Sequence, residues 1–170
     1  MILGMSTSAF TLFHVLISLI AIVTGIIVAV AMLGSKTING WTGVFLATTA
    51  LTSITGFLFH RDQVLPSHIV GAISLLILII AIAALYGYRL AGSWRWIYVV
   101  SALVALYLNV FVLVIQAFLK VAILNALAPT QSDPVFIVAQ LIVLALFVVL
   151  GIRAVRRFHP EVNASALRTA

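Results

Sequence analysis

Cysteine is absent from the chain, and only three of its 170 residues are acidic. The first absence removes disulfides, thiolate metal sites and cysteine nucleophiles. The second leaves no buried acidic residue of the kind that marks many transport sites. Charge of either sign is scarce: 7% of residues are charged and 65% are hydrophobic, with a mean hydropathy of +1.33. A soluble domain carries about a quarter charged residues, so this composition requires a bilayer as solvent. The net charge of +6 does not indicate nucleic-acid binding, because the basic residues flank apolar runs, where they encode topology. Neither Lys nor Arg precedes the first apolar run, which is longer than the ~7–15 residues of a signal core. That run is read as a retained helix.

The charged residues divide the chain into five apolar intervals, each near the ~20 residues that cross a hydrocarbon core. They predict an all-α, polytopic membrane helical bundle with spans over 9–33, 41–60, 67–88, 96–119 and 134–153. Residues 1–157 form one transmembrane domain, and 158–170 are a cytoplasmic tail. Local signals agree: Gly34 ends the first helix, Asn39-Gly40 makes a turn, and Pro66 and Pro134 open helices. Asp133 is expected to cap the fifth.

With five spans, one side receives Lys36, Arg89, Arg95, Arg153, Arg156, Arg157 and Arg168, and the other only Arg61 and Lys120. The positive side is cytoplasmic, giving an N-out, C-in multi-pass protein of a bacterial inner membrane. Trp41, Tyr86, Tyr88, Trp94, Trp96 and Tyr98 fall on that same boundary as an interfacial belt. His14 to Ser18, followed by Gly40-Trp41, parallels His68 to Ser74, followed by Ser93-Trp94. This pattern suggests a four-helix core of two related hairpins, with the fifth helix beside it. Small residues, including Ala21 and Gly25 and the Gly/Ala/Thr/Ser-rich second span, suit close helix packing in lipid.

This topology brings His14, His60 and His68 to the periplasmic side, with His14 ~8 Å inside the first helix at 1.5 Å per residue. Asn109, Gln116 and Lys120 share one face of the fourth span. Gln140 lies two turns into the fifth, and Arg61 and Asp62 rim the entrance. Buried amides and imidazoles need partners, so these residues outline a His/Gln pocket.

Two cofactors fit it. Imidazole is the usual axial ligand of b-type haem, and His14 and His68 could clamp one iron. Gly56 and Gly71 would leave room for the porphyrin, and Arg61 and Lys120 would meet its propionates. Alternatively, His14, His60 and His68 could hold zinc or copper. A quinone or other small ligand could be hydrogen-bonded by His and Gln. In the plainest alternative the polar groups only bond one another, in a non-catalytic structural subunit with membrane-protein partners or further copies of itself. A small transporter comes last. Val121 to Asp133, too short to cross, reads as a surface connector or a lid.

The stretch from Gln116 to Pro134 (QAFLKVAILNALAPTQSDP), continuing to Arg157, resembles a family of uncharacterised inner-membrane proteins of proteobacteria. The resemblance implies location and no activity. The histidines at helix ends look like those of four-helix membrane b-type cytochromes, which commonly carry two or more His pairs where this chain offers three residues. Taken together, the sequence predicts an inner-membrane protein with a periplasmic His/Gln pocket. Its most concrete form is a haem- or quinone-linked electron-transfer component.

Overall fold

The computed structural model describes residues 2, 4–59 and 66–160. Six α-helices follow in order: α1 Thr7–Leu33, α2 Asn39–Phe57, α3 Pro66–Ile82, α4 Trp94–Lys120, α5 Ala122–Leu127 and α6 Pro134–Arg157. The last turn of α3 widens into a π-helix over Ala83–Gly87. Among the described residues four helices are long and apolar enough to cross a membrane by length and composition: Thr7–Leu33, His68–Gly87, Trp94–Lys120 and Pro134–Arg157. The expected second span, α2, is not among them. Its 19 residues would be about 28 Å long at 1.5 Å per residue, but threonine, serine and glycine dilute its apolar character. Those hydroxyls bond back into the helix: Thr48 to the Val44 carbonyl at 2.7 Å, Ser53 to that of Thr49 at 3.1 Å, and Thr55 to that of Leu51 at 2.7 Å.

The helices α1 to α4 pack as a ring in chain order, α4 closing onto α1, and α6 lies outside against α4 and α1. The all-helical class is as expected, and α1 packs on α2 and α3 on α4. Ala21 is fully buried, and Gly25 faces Leu106 of α4 and Phe45 of α2, as expected for a small-residue contact. The main core contains Phe45, Leu78, Val99, Leu106 and Phe158.

One end of the bundle gathers the basic residues. The His159 backbone N–H donates to Ser35 Oγ at 2.8 Å, and the rings of Phe158 and Tyr98 meet at 6.0 Å. The α1–α2 connection, the start of α4 and the end of α6 therefore lie together. Lys36, Arg95, Arg156 and Arg157 belong to this basic end. Tyr98, expected in an aromatic belt, is instead buried at 3% exposure, because its position on α4 faces the other helices. Tyr88 and Trp94 stack at 3.7 Å.

Local details differ from expectation in three places. Asn39 and Gly40 begin α2 and do not form a turn; the chain reverses over Gly34 to Ile38, where Ser35 takes the left-handed conformation at φ 55°. Expected to end at residue 60, α2 closes at Phe57. Asp133 stands at the cap of α6 but makes no side-chain bond to that helix. Its carboxylate turns back to accept from the Thr130 N–H at 2.7 Å and hydroxyl at 2.8 Å. The hydroxyl first, then the backbone donor, hold this exposed carboxyl below its usual value. Such a depressed pKa stabilises the connection at neutral pH, an effect lost as pH falls through the lowered value. The segment read as connector or lid contains α5, which packs on α4 through Asn125 Nδ2 donating to the Phe118 carbonyl at 3.2 Å.

Candidate functional site

The polar residues of the non-basic half connect helices through α2. Asn109 Nδ2 of α4 donates to Thr49 Oγ1 at 3.2 Å. The Ser53 and Ser74 hydroxyls, on α2 and α3, are hydrogen-bonded to each other at 3.1 Å. His14 Nδ1 of α1 lies 2.7 Å from Thr55 Oγ1. Thus α2, rich in hydroxyls, bonds both of its ring neighbours, α1 and α3, and α4 across the ring. In lipid, where apolar burial gives no preference for one helix face over another, such bonds set the rotation of each helix.

His14 occupies the inward stripe of α1, in line with Phe10, Ile17 and Ala21. Its ring runs from Thr55 across Gly56, where a Cβ would stand 3.8 Å from its Cε1. The edge of Phe59 meets it at 5.3 Å and 89°, and Phe59 in turn contacts the fully buried Phe10 at 5.1 Å.

His68 is elsewhere. Its ring stacks on Phe57 at 5.7 Å and 13°. Thr55 and Phe57 are two residues apart on α2, a rotation of about 200°, so the two histidines flank opposite sides of that helix. Their heights agree within a few ångströms by helical rise, yet the structure does not bring them together. The space expected for a porphyrin is also filled. A Cβ on Gly71 would meet the Phe57 ring at 3.2 Å, and the His14 imidazole lies over Gly56. His60, Arg61 and Asp62 lie outside the described residues. Among those described, no group of three or more His, Cys, Asp or Glu could hold a metal ion.

The glutamines separate in the same way. Gln140 Nε2 of α6 donates to the Phe111 carbonyl of α4 at 3.1 Å, fastening α6 to the outside of the ring. Gln116 belongs with the inward face of α4. Tyr98, Ala102, Ala105, Asn109, Leu113, Gln116 and Lys120 follow one another at spacings of three and four, forming a single stripe. Its basic-end portion is closed, with Tyr98, Ala102 and Ala105 at 3%, 2% and 0% exposure. Asn109 is half-buried, Leu113 is 39% exposed, and Gln116 and Lys120 are exposed. The stripe that seals the bundle at one end therefore lies open at the other. Gln116 stands about 10 Å beyond the Asn109–Thr49 bond and His14, opposite Thr55, about 9 Å beyond it, from 1.5 Å per residue.

At this end Gln116 and Lys120 of α4 are exposed, and His14 of α1 and Asn109 of α4 are half-buried. The sequence singled out Gln116, Lys120 and His14. It missed Thr55, whose side of α2 cannot be read from a helix rich in hydroxyls throughout. No protein-family model, curated protein or solved structure matches the chain.

Proposed function

We propose that the chain is a five-span protein of a bacterial inner membrane, N-terminus outside, whose open polar mouth receives a small lipid-soluble redox ligand, a quinone in preference to haem b. The open half of the α4 stripe carries this reading. A polar lining that only held helices together would be closed along its length, whereas Gln116 and Lys120 remain available to a ligand carbonyl. Single-imidazole haem ligation by His14 is the lesser form, since His68 sits across α2. The basic end supports the inner-membrane part of this reading, with the C-terminus inside.

Two measurements test the proposal. Because the chain lacks native cysteine, single cysteines report sidedness directly. Ser8→Cys and Asn125→Cys should react with an impermeant maleimide in intact cells, and Lys36→Cys and Arg157→Cys only after permeabilisation. Labelling of residues 36 and 125 from the same side would remove α2 as a span. Purified protein should carry extractable quinone, reduced about ten-fold in a Gln116→Leu/Lys120→Leu variant, as two lost polar contacts predict. Protein free of both quinone and a Soret band after expression with haem supply would end the ligand reading.

The second reading is a non-catalytic membrane subunit. It draws on Asn109, Ser53, Ser74 and Gln140 all bonding between helices, which is sufficient for a scaffold.

A further inference from the structure

Two short contacts at Thr55 determine where the proton of His14 resides. The Thr55 hydroxyl oxygen lies 2.7 Å from the Leu51 carbonyl oxygen and 2.7 Å from His14 Nδ1. A hydroxyl has one proton. If it went to Nδ1, the hydroxyl and carbonyl oxygens would face each other at 2.7 Å with only lone pairs between them. If it goes to the carbonyl, as in the usual bond of a helical threonine to the residue four before it, Nδ1 must supply the other proton. Both contacts are then hydrogen bonds. The neutral imidazole is thereby held as the Nδ1–H tautomer, and its lone pair is on Nε2, just as a second partner sets the reactive nitrogen of metal-bound histidines.

Nε2 follows Cε1 around the ring. Cε1 lies over Gly56 of α2, and Nε2 is the ring nitrogen remote from the Thr55 bond. Among the described residues no donor bonds it. We infer that His14 Nε2 is a fixed hydrogen-bond acceptor, and that the mouth therefore binds a ligand that donates an O–H there: the reduced, hydroquinone form of a quinone. The inference rests on the mouth proposed above and adds which redox form it prefers. Gln116 and Lys120 supply donors, which suit the oxygens of either form. The Gln116 amide can turn either its donor or its acceptor end to a ligand, whereas His14 Nε2 is an acceptor fixed in place, which only the hydroquinone can satisfy. Phe59, 5.3 Å from His14, adds an aromatic neighbour for a ring ligand.

The test uses full-length protein in nanodiscs. Histidine 15N and 13C spectra, assigned through loss of a signal in His14→Gln, should show His14 with a bare Nε2. Thr55→Val should move the proton to Nε2, and Thr55→Ser should preserve the wild-type spectrum. A short-chain hydroquinone should bind about ten-fold more tightly than its matching quinone, a preference of one hydrogen bond that Thr55→Val abolishes and Thr55→Ser retains. A wild-type Nε2–H signal, or equal binding of the two forms with the tautomer as described, would overturn the inference while leaving the mouth as a quinone site. Binding of neither form would remove both. A Soret band lost in His14→Ala would overturn the hydroquinone assignment and make Nε2 an iron ligand.

Discussion

Gly25→Ala is expected to destabilise the bundle by about 1–3 kcal/mol, the usual cost of forcing extra volume into a packed core. A Cβ there would stand 2.5 Å from Leu106 Cδ1 and 2.8 and 2.9 Å from ring carbons of Phe45. Both neighbours are 1% exposed, so neither can rotate away without displacing others. Helices α1, α2 and α4 meet at this point, and separating them also lengthens the bonds that α2 makes farther along. Reversible unfolding in mixed micelles measures the loss, with Gly56→Ala as control. There the added carbon meets only His14 Cε1 at 3.8 Å, an ordinary contact, and stability should change by less than about 0.5 kcal/mol. Equal behaviour of the two variants would show that the three-helix contact at Gly25 is looser than described.

Phe158→Ala should cost about 2–4 kcal/mol and free the basic end of α6. In lipid the loss is chiefly the cavity left by the ring, because transfer of apolar surface contributes little there. The consequence is large because α6 is held mainly near its ends. Phe136 packs with Phe118 and Ala128 at one end, and Ala154 and Phe158 join the main core at the other. Between them α4 and α6 border an apolar cavity of about 200 Å³ lined by residues including Val104 and Gly151, bridged by the Tyr107 and Phe147 rings, which meet at 5.5 Å. With Phe158 removed, the bond from His159 to Ser35 loses its neighbour in the core. A single cysteine at Ala154, fully buried in the native protein, should become maleimide-reactive in the Phe158→Ala background. If it stays protected, the middle of α6 contributes more to docking than its packing indicates.

Several features were legible along the chain because their causes are local. Gaps between charges marked every long helix, and Pro66 and Pro134 both open helices, where a missing N–H donor costs nothing. The basic residues flank the apolar runs, and alternation of helix direction brings those from separate loops to one end. Boundaries were less legible. Asn39-Gly40 has turn composition, yet the reversal is completed before it by Ser35. The hydroxyl-rich composition of α2 also obscured its length and its status as a span.

Composition alone established an all-helical, bilayer-compatible chain without thiol chemistry, and residue spacing established that Asn109, Gln116 and Lys120 share a face. Helix rotation was decided only by tertiary packing. Helices that are apolar on every side carry no stripe that says which way they turn, so the histidines of α1 and α3 looked equivalent in the sequence. Packing placed them on opposite flanks of α2. It also assigned Thr55 to His14, and closed one half of the α4 stripe while leaving the other open, because those outcomes depend on how four helices fill space together.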